Sequence, residues 1–503
     1  MKYLAGTLGC IFAIISLSAQ EQSVNYRAEM FGSVASGDNT PFWMLYHNWG
    51  MTPLKATNGY VRAGVFYSRT LNRDWSLNAG LDVAVSSAHA YNTCWVQQIY
   101  GQVNWKIFQL YAGSKEDYTS LLDKQLSSGD FVAANNARPI PKIQISIPEF
   151  VLVPYTKGNF YIKGHFSVGK FMDGNLIESK ALPLNRPYIY NQLEHGKAIY
   201  FRFGNIDKNS RQFTFGVNHQ AQWGGVIHRY VMKNNNGTYE PGYDIVKQPS
   251  TISDFLRTFV AKEGGSEASL TDKQFVAGSH IGAYLFRYDH KLNNGRQLSA
   301  YIHHFFEDGS GMVFENYPDN LYGIQYKSGG KHLLSNAVLE FIYTKQQSGA
   351  IHYNAIKDEA HSHLKGNGND NYYNNVDYIQ GPSYFGRTMG TPLFLSPEYN
   401  TDGHVNFKGS RIIAFHAGFE GFFTPDLSYR LLATTGQNWG RFYVPFTSIH
   451  DGVATNLDIM YNCPKMNGWE FKLSTGYNAG AFFGSDTFGA GITVTKRGTV
   501  FSK

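Results

Sequence analysis

The chain has 503 residues, of which 16% are charged and 16% aromatic, with 34 Tyr, 36 Phe and 52 Gly, and a formal net charge of +6. Soluble domains usually carry about a quarter charged residues, and so mild and dispersed a charge leaves no footprint for nucleic acid; both classes are set aside. A mean hydropathy of −0.32 is too polar for a bundle of spanning helices and suits a wall with one greasy and one wet face.

In chain order, Lys2 followed by the apolar run Leu4 to Leu17 and the small residues of Ser16-Leu17-Ser18-Ala19 reads as a signal peptide over residues 1–19,. That run is too short for a spanning helix of about 20 residues, and the chain holds no other, so residues 20–503 enter a membrane only as a closed barrel. Cys10 lies inside the apolar run, unlike a lipoprotein cysteine,. The two remaining cysteines, Cys94 and Cys463, allow one disulfide in an oxidising compartment but make no framework,.

Val24 to Val34 already reads as strand, with no amphipathic helix before it. Further on, apolar and polar residues alternate in segments of about ten. Leu77, Ala79, Leu81, Val83 and Val85 oppose Asn78, Gly80, Asp82, Ala84 and Ser86. Phe160, Ile162, Phe166 and Val168 oppose Tyr161, Lys163, His165 and Ser167. Phe213, Phe215, Val217, His219, Ala221 and Trp223 oppose Thr214, Gly216, Asn218, Gln220 and Gln222, the first face toward lipid and the second toward water. Near the end, Phe488, Ala490, Ile492 and Val494 alternate with Gly489, Gly491, Thr493 and Thr495.

Short turns near 72–74, 154–158, 207–210, 291–295, 328–331, 424–426 and 463–467 interleave with longer connections near 38–56, 114–142, 172–197, 224–277, 347–404 and 437–451. This is the rhythm of periplasmic turns and extracellular loops. The expected fold is all-β: a transmembrane antiparallel β-barrel of about eighteen strands in a Gram-negative-type outer membrane, both termini periplasmic, with long extracellular loops and a short loop helix. Segments 114–142, 224–277 and 347–404 are long enough to act as loops or plugs. Within 224–277, Ser253 or Asp254 is a candidate helix cap, with Phe255, Leu256, Phe259 and Val260 on one face, packed on the rim or in the lumen,. The Asn-, Gly- and Tyr-rich stretch from Gln347 to His404 reads as an external loop or a folded cap.

Several short strings resemble, in order, the capsule-assembly Wzi family of outer-membrane proteins. They are Ala134-Asn135-Asn136-Ala137-Arg138-Pro139-Ile140-Pro141 and His219-Gln220-Ala221-Gln222-Trp223-Gly224-Gly225, then Ser253-Asp254-Phe255 and Gly278-Ser279-His280-Ile281-Gly282. Phe306-Glu307-Asp308-Gly309-Ser310-Gly311, Tyr372-Tyr373-Asn374-Asn375, Gly390-Thr391-Pro392-Leu393 and Gln437-Asn438-Trp439-Gly440 complete the series, over Tyr111 to Tyr443. The resemblance implies an eighteen-stranded barrel that attaches or assembles capsular polysaccharide at the cell surface, without enzymatic activity. Some members of the family carry a periplasmic helical bundle, which the early strand at Val24 to Val34 argues against here.

Catalytic signatures are missing from the sequence: there is no HExxH, Walker loop, GxSxG elbow or paired CxxC,. His303 and His304 are strand neighbours and point to opposite faces, so they do not share one metal ion. His361 and His363 with Asp358 and Glu359 are better spaced for a cation, but in a polar loop they read as solvated side chains,. No cofactor is implied.

A polysaccharide binder needs aromatic faces, amides and guanidiniums. The candidates are Asn135, Asn136 and Arg138 in one long connection, and Trp439 and Arg441 in another. Against this, Arg138-Pro139 can tie a plug segment to the wall, and Trp439 and Trp223 can belong to an aromatic girdle. The leading expectation is a lectin-like, non-catalytic outer-membrane protein whose partners are capsular or extracellular polysaccharide, outer-membrane lipid and capsule export machinery. The alternative is a porin-like channel for small solutes or oligosaccharides, since barrels of this size can hold an aqueous lumen.

Overall fold

The computed structural model describes residues 21–87, 93–205, 210–235, 238–265, 267–269, 276–347 and 371–503. The expected signal peptide and the His361/His363 cluster lie outside the described residues.

Eighteen strands form one antiparallel sheet closed on itself. They are β1 (Gln22–Ala35), β2 (Asn58–Thr70), β3 (Trp75–Ser86), β4 (Cys94–Trp105), β5 (Phe108–Ser114) and β6 (Lys142–Leu152). Next come β7 (Phe160–Lys170), β8 (Leu193–Phe203), β9 (Arg211–Trp223), β10 (Ser279–Lys291), β11 (Gln297–Phe306) and β12 (Asn320–Lys327). The wall ends with β13 (Asn336–Tyr343), β14 (Ile412–Thr424), β15 (Leu427–Gly440), β16 (Pro445–Asn462), β17 (Trp469–Ala479) and β18 (Thr487–Ser502). Each strand pairs with its sequence neighbours, and β1 pairs with β18 from Ser23↔Ser502 to Ala35↔Gly489, which leaves no open edge,. The even strand number brings the two ends of the described barrel, β1 and β18, to the short-turn rim. No described helix is long and apolar enough to cross a membrane; the chain crosses with strands.

The period-two pattern places side chains as the sequence suggests. Leu81 and Val85 face outward while Asp82 and Ala84 are fully buried on the inner face. Aromatics gather at the short-turn rim: Trp75, Trp105 and Phe108 pack in series with ring centroids 5.9 Å apart, and Phe160 meets Phe203 at 5.1 Å. Such a row is the periplasmic aromatic girdle of a membrane barrel.

Several expectations are corrected. The inner face of β9 is not wet throughout: Thr214 is buried under the wall residue Arg202, and Asn218, Gln220 and Gln222 are buried against loop segments that fill the lumen behind them. The connection expected over 437–451 is strand. β15 and β16 stay paired out to Gly440↔Pro445, with a bulge between Asn438 and Gly440, so only Arg441 to Val444 turn. Segment 224–277 is also partly regular: Val226–Asn235 and Thr238–Lys247 form a hairpin, extended by Tyr188–Tyr190. Its helix, Ile252–Phe259, is capped by Thr251 in a box with Asp254, not by Ser253 or Asp254 as the cap residue,. That helix lies on the outer face of the wall, neither on the rim nor in the lumen. Phe255 packs on Phe166 and Trp223, which share the lipid-facing parity of their strands. Trp223, 5% exposed beneath it, is therefore not a free girdle residue.

The lumen is closed by three connections from the long-loop rim. Phe42, Trp43 and Tyr46 from the first, Leu126 and Phe131 from the second, and Tyr372, Tyr373, Phe394 and Phe407 from the third form one core with inward wall residues such as Tyr200, Leu285, Tyr301 and Val338. Each fully buried large apolar side chain contributes about 1.5–3 kcal/mol, so this plug is a folded element.

Candidate functional site

The plug is fixed to the wall by polar contacts that replace water. Glu340 on β13, buried, accepts from Ser127 Oγ at 2.8 Å, Ser128 N at 2.7 Å and the Tyr301 hydroxyl at 2.7 Å. Trp43 Nε1 donates to Thr434 Oγ1 at 3.0 Å, and Phe42 N to Asn478 Oδ1 at 3.1 Å. Glu116 joins a wall cluster through Arg62 Nη2 at 2.9 Å, while Arg62 and Arg27 both bind the buried Asp82. Such pairs fix geometry more than they stabilise.

Arg138 sits at a notch in the wall. β5 pairs with β4 only up to Ser114↔Ile99, so the backbone of β4 beyond Ile99, toward Cys94, lacks a strand neighbour on that side. There Arg138 Nη2 donates to the Val96 carbonyl at 3.1 Å. Its guanidinium lies 4.3 Å from the Phe385 ring centroid and 5.5 Å from that of Trp95. The residue thus links two plug segments to the wall. Phe385 N in turn donates to Asp173 Oδ2 at 3.0 Å. Burial pushes the Asp173 carboxyl up to about 6, opposed by that amide and by the Arg138 charge.

Behind Arg138 lies a cleft of about 90 Å³ between the plug and the inner faces of β6 to β9, lined by Trp49, Lys115, Asp117, Lys142, His165, Ser167, Glu194, Asn218 and Gln220 among others. Ser167, Glu194, Asn218 and Gln220 are 1%, 4%, 3% and 6% exposed. Yet Ser167 Oγ, Glu194 Oε2, Asn218 Nδ2 and Gln220 Oε1 have no hydrogen-bond partner among the described residues. Buried polar atoms are normally paired, so the cleft beside the Trp49 indole offers both donor and acceptor atoms that the described residues leave unsatisfied.

The candidate residues are distributed unevenly around this site. Asn135 and Asn136 are buried and committed inside the plug: Asn135 Nδ2 donates to the His47 carbonyl at 3.2 Å, and Asn136 Nδ2 to that of Gly390 at 2.8 Å. Trp439 belongs to β15, not to a loop, and stands on the outward side with Lys345 Nζ 4.1 Å from its ring centroid. Arg441 follows in the tight turn. The Arg138 and Trp439 groups are not brought together, for β3, β2, β1, β18, β17 and β16 separate β4 from β15 round the ring. His303 and His304 do point to opposite faces, His303 toward Asp130 and His304 onto Phe314 outside. Cys94 and Cys463 are both free, at opposite rims.

Sequence reading missed Trp49, Glu194, Asn218 and Gln220. Asn218 was legible only as a wet-face residue, Gln220 as that and as part of the His219–Gly225 string but not as a ligand contact, and Glu194 fell inside the connection expected over 172–197, whereas β8 begins at Leu193.

No protein-family model and no curated protein sequence matches the chain. Among solved structures, it is similar to Wzi of Escherichia coli, described as an outer membrane protein involved in group 1 capsule assembly and a carbohydrate-binding β-barrel. Identity there is 14% over 98% of this chain and 87% of that one, with a TM-score of 0.55. OmpT, an outer membrane protein of Vibrio cholerae, matches at 9% identity over 96% of this chain and 99% of that one, TM-score 0.40. OccK5 of Pseudomonas aeruginosa matches at 7% over 96% and 99%, TM-score 0.39. At 14% identity the Wzi likeness is one of fold, and it agrees with the wall described above: a closed 18-strand antiparallel β-barrel of the outer-membrane kind.

Proposed function

We propose that this barrel holds extracellular or capsular polysaccharide at the cell surface as a non-catalytic, lectin-like protein. The observation that carries the reading is the Arg138 cleft beside Trp49, where Gln220 Nε2 donates to Glu194 Oε1 at 3.4 Å while Glu194 Oε2, Gln220 Oε1, Asn218 Nδ2 and Ser167 Oγ stay buried without a partner among the described residues. Hydroxyl-rich ligands satisfy such groups pairwise, and leaving them unpaired costs about 1–3 kcal/mol each. The fold likeness to Wzi, itself described as carbohydrate-binding, points the same way. On this reading Arg138 frames the cleft, Asn135 and Asn136 hold the plug that forms its roof, and Trp439 with Arg441 offers a separate contact on the outer rim.

The reading is tested by comparing cell-attached with released polysaccharide in a deletion strain complemented by wild type, Glu194→Gln with Asn218→Ala, Arg138→Ala or Trp439→Ala. Shedding on deletion that the cleft variants fail to correct is the expected result. Attachment unchanged by deletion would sink the idea. The porin-like alternative is disfavoured by the plug: wild-type protein in a planar bilayer is expected to be nearly silent, and steady open-channel conductance would favour that alternative instead.

A further inference from the structure

The helix Ile252–Phe259 presents three different faces. Phe255 and Phe259 pack on the outer wall: Phe255 lies 5.9 Å from His195 and 5.7 Å from Trp223 between ring centroids, and Phe259 lies 5.8 Å from Phe166. Ile252, Leu256 and Val260, spaced by four, are 81%, 54% and 63% exposed. Ser253, Asp254 and Arg257 fill the remaining sector. At 100° per residue the exposed apolar stripe lies roughly a quarter of a turn from the phenylalanine face, and the polar sector lies nearly opposite that face.

The wall beneath the helix is unusual for a lipid-facing surface. Lys197, His195, His219 and His280 all share the parity of Ile199, Phe201 and Phe203, or of Phe213 and Phe215, along their strands. They satisfy one another only in part. Lys197 Nζ donates to the Phe259 carbonyl, His219 Nε2 meets His280 Nδ1 at 3.1 Å, and His280 Nε2 meets the Ala277 carbonyl at 2.9 Å. With roughly 2.5 Å of height per residue in a tilted strand, Lys197 lies about 15 Å and His195 about 20 Å above Phe203, within an apolar band about 25 Å tall. A lysine open to lipid at such depth is destabilising. The helix covers it and turns a new apolar stripe outward.

We infer that Ile252–Phe259 is an in-plane membrane helix, its Ile252, Leu256 and Val260 stripe seated among the acyl chains of the outer leaflet and its Ser253 and Arg257 sector turned to the headgroups and water. The occupant follows from continuity: the stripe extends the lipid-facing wall formed by Ile199 and Phe203, which are 44% and 47% exposed. The helix thus replaces a polar patch of wall with an apolar one and hinders lipid from reaching the three imidazoles.

The test uses the full-length barrel, Cys94→Ser and Cys463→Ser, carrying Leu256→Cys, Val260→Cys, Ser253→Cys or Ile199→Cys labelled with bimane. Proteins are folded into phosphatidylcholine vesicles with brominated acyl chains, and folding is checked by heat-modifiable gel mobility. Labels at 256 and 260 are expected to lose about half their emission to bromine, as at Ile199, and to be spared by aqueous iodide; at Ser253 the order reverses. Iodide reaching 256 and 260 as freely as 253, with no bromine quenching, overturns the inference. Bromine-independent self-quenching that grows with protein-to-lipid ratio would put a second copy on the stripe and overturn it too.

Discussion

At the scale of single residues, the plug depends on groups whose chemistry is set by burial. Arg138 satisfies the Val96 carbonyl where β4 has no neighbour on the β5 side, and it stacks on Phe385 and Trp95. Arg138→Ala is expected to lower stability by about 1–3 kcal/mol, and Arg138→Lys to recover only part, since an ammonium lacks the planar stacking fork. Thermal midpoints in detergent check the order wild type, Lys, Ala. His47 carries a pH dependence. Burial, with the Arg430 charge nearby, pushes its imidazole from 6.5 down to about 3. The folded state therefore binds fewer protons than the unfolded one between these values. His47 favours folding fully above pH 6.5 and loses that contribution as pH falls toward about 3. His47 also has φ of 62°, a conformation asparagine tolerates. His47→Asn is expected to flatten the midpoint profile between pH 7 and about 4; a profile as steep as wild type would refute the assignment.

At the scale of elements, the segments that close the lumen were the hardest to read. Residues 115–141 and 371–411 show neither period two nor period 3.6, because they are shaped by the surface they fill and not by a repeating ladder,. Tyr372, Tyr373 and Phe394 looked like loop aromatics; only the enclosing wall makes them core. Glu340 is where wall and plug meet. Glu340→Ala strands Ser127, Ser128 and Tyr301 without an acceptor, at a cost of several kcal/mol when summed over about 1–3 per group. The expected outcome is a barrel that still folds by gel mobility but conducts in a planar bilayer, where the wild type is nearly silent. Retained silence would mean the other anchors, such as Trp43 on Thr434, hold the plug alone. The helix Ile252–Phe259 was legible from its cap and its apolar spacing, yet Phe255 and Leu256, expected on one face, serve wall and exterior separately.

At the scale of the whole molecule, an approximate strand number, strand parity and the rim of most short turns were legible in the sequence alone, while the connection expected over 437–451 was not. A strand that faces lipid on one side and protein or water on the other must alternate, and a barrel without edges must pair every neighbour. Leu81 and Val85 outward against Asp82 inward is that rule written in residues. What only the tertiary structure decided is what lies against each face. The same polar parity that faces water in an open barrel is in large part covered by packed segments here, since the occupant comes from segments remote in sequence. Glu194, Asn218 and Gln220 come to line a cleft because Trp49 and Arg138 are carried over them by two separate loops, and Trp223 leaves the lipid because a helix some thirty residues later folds back upon it. Local periodicity encodes orientation, while long-range packing, which has no period, assigns the partner.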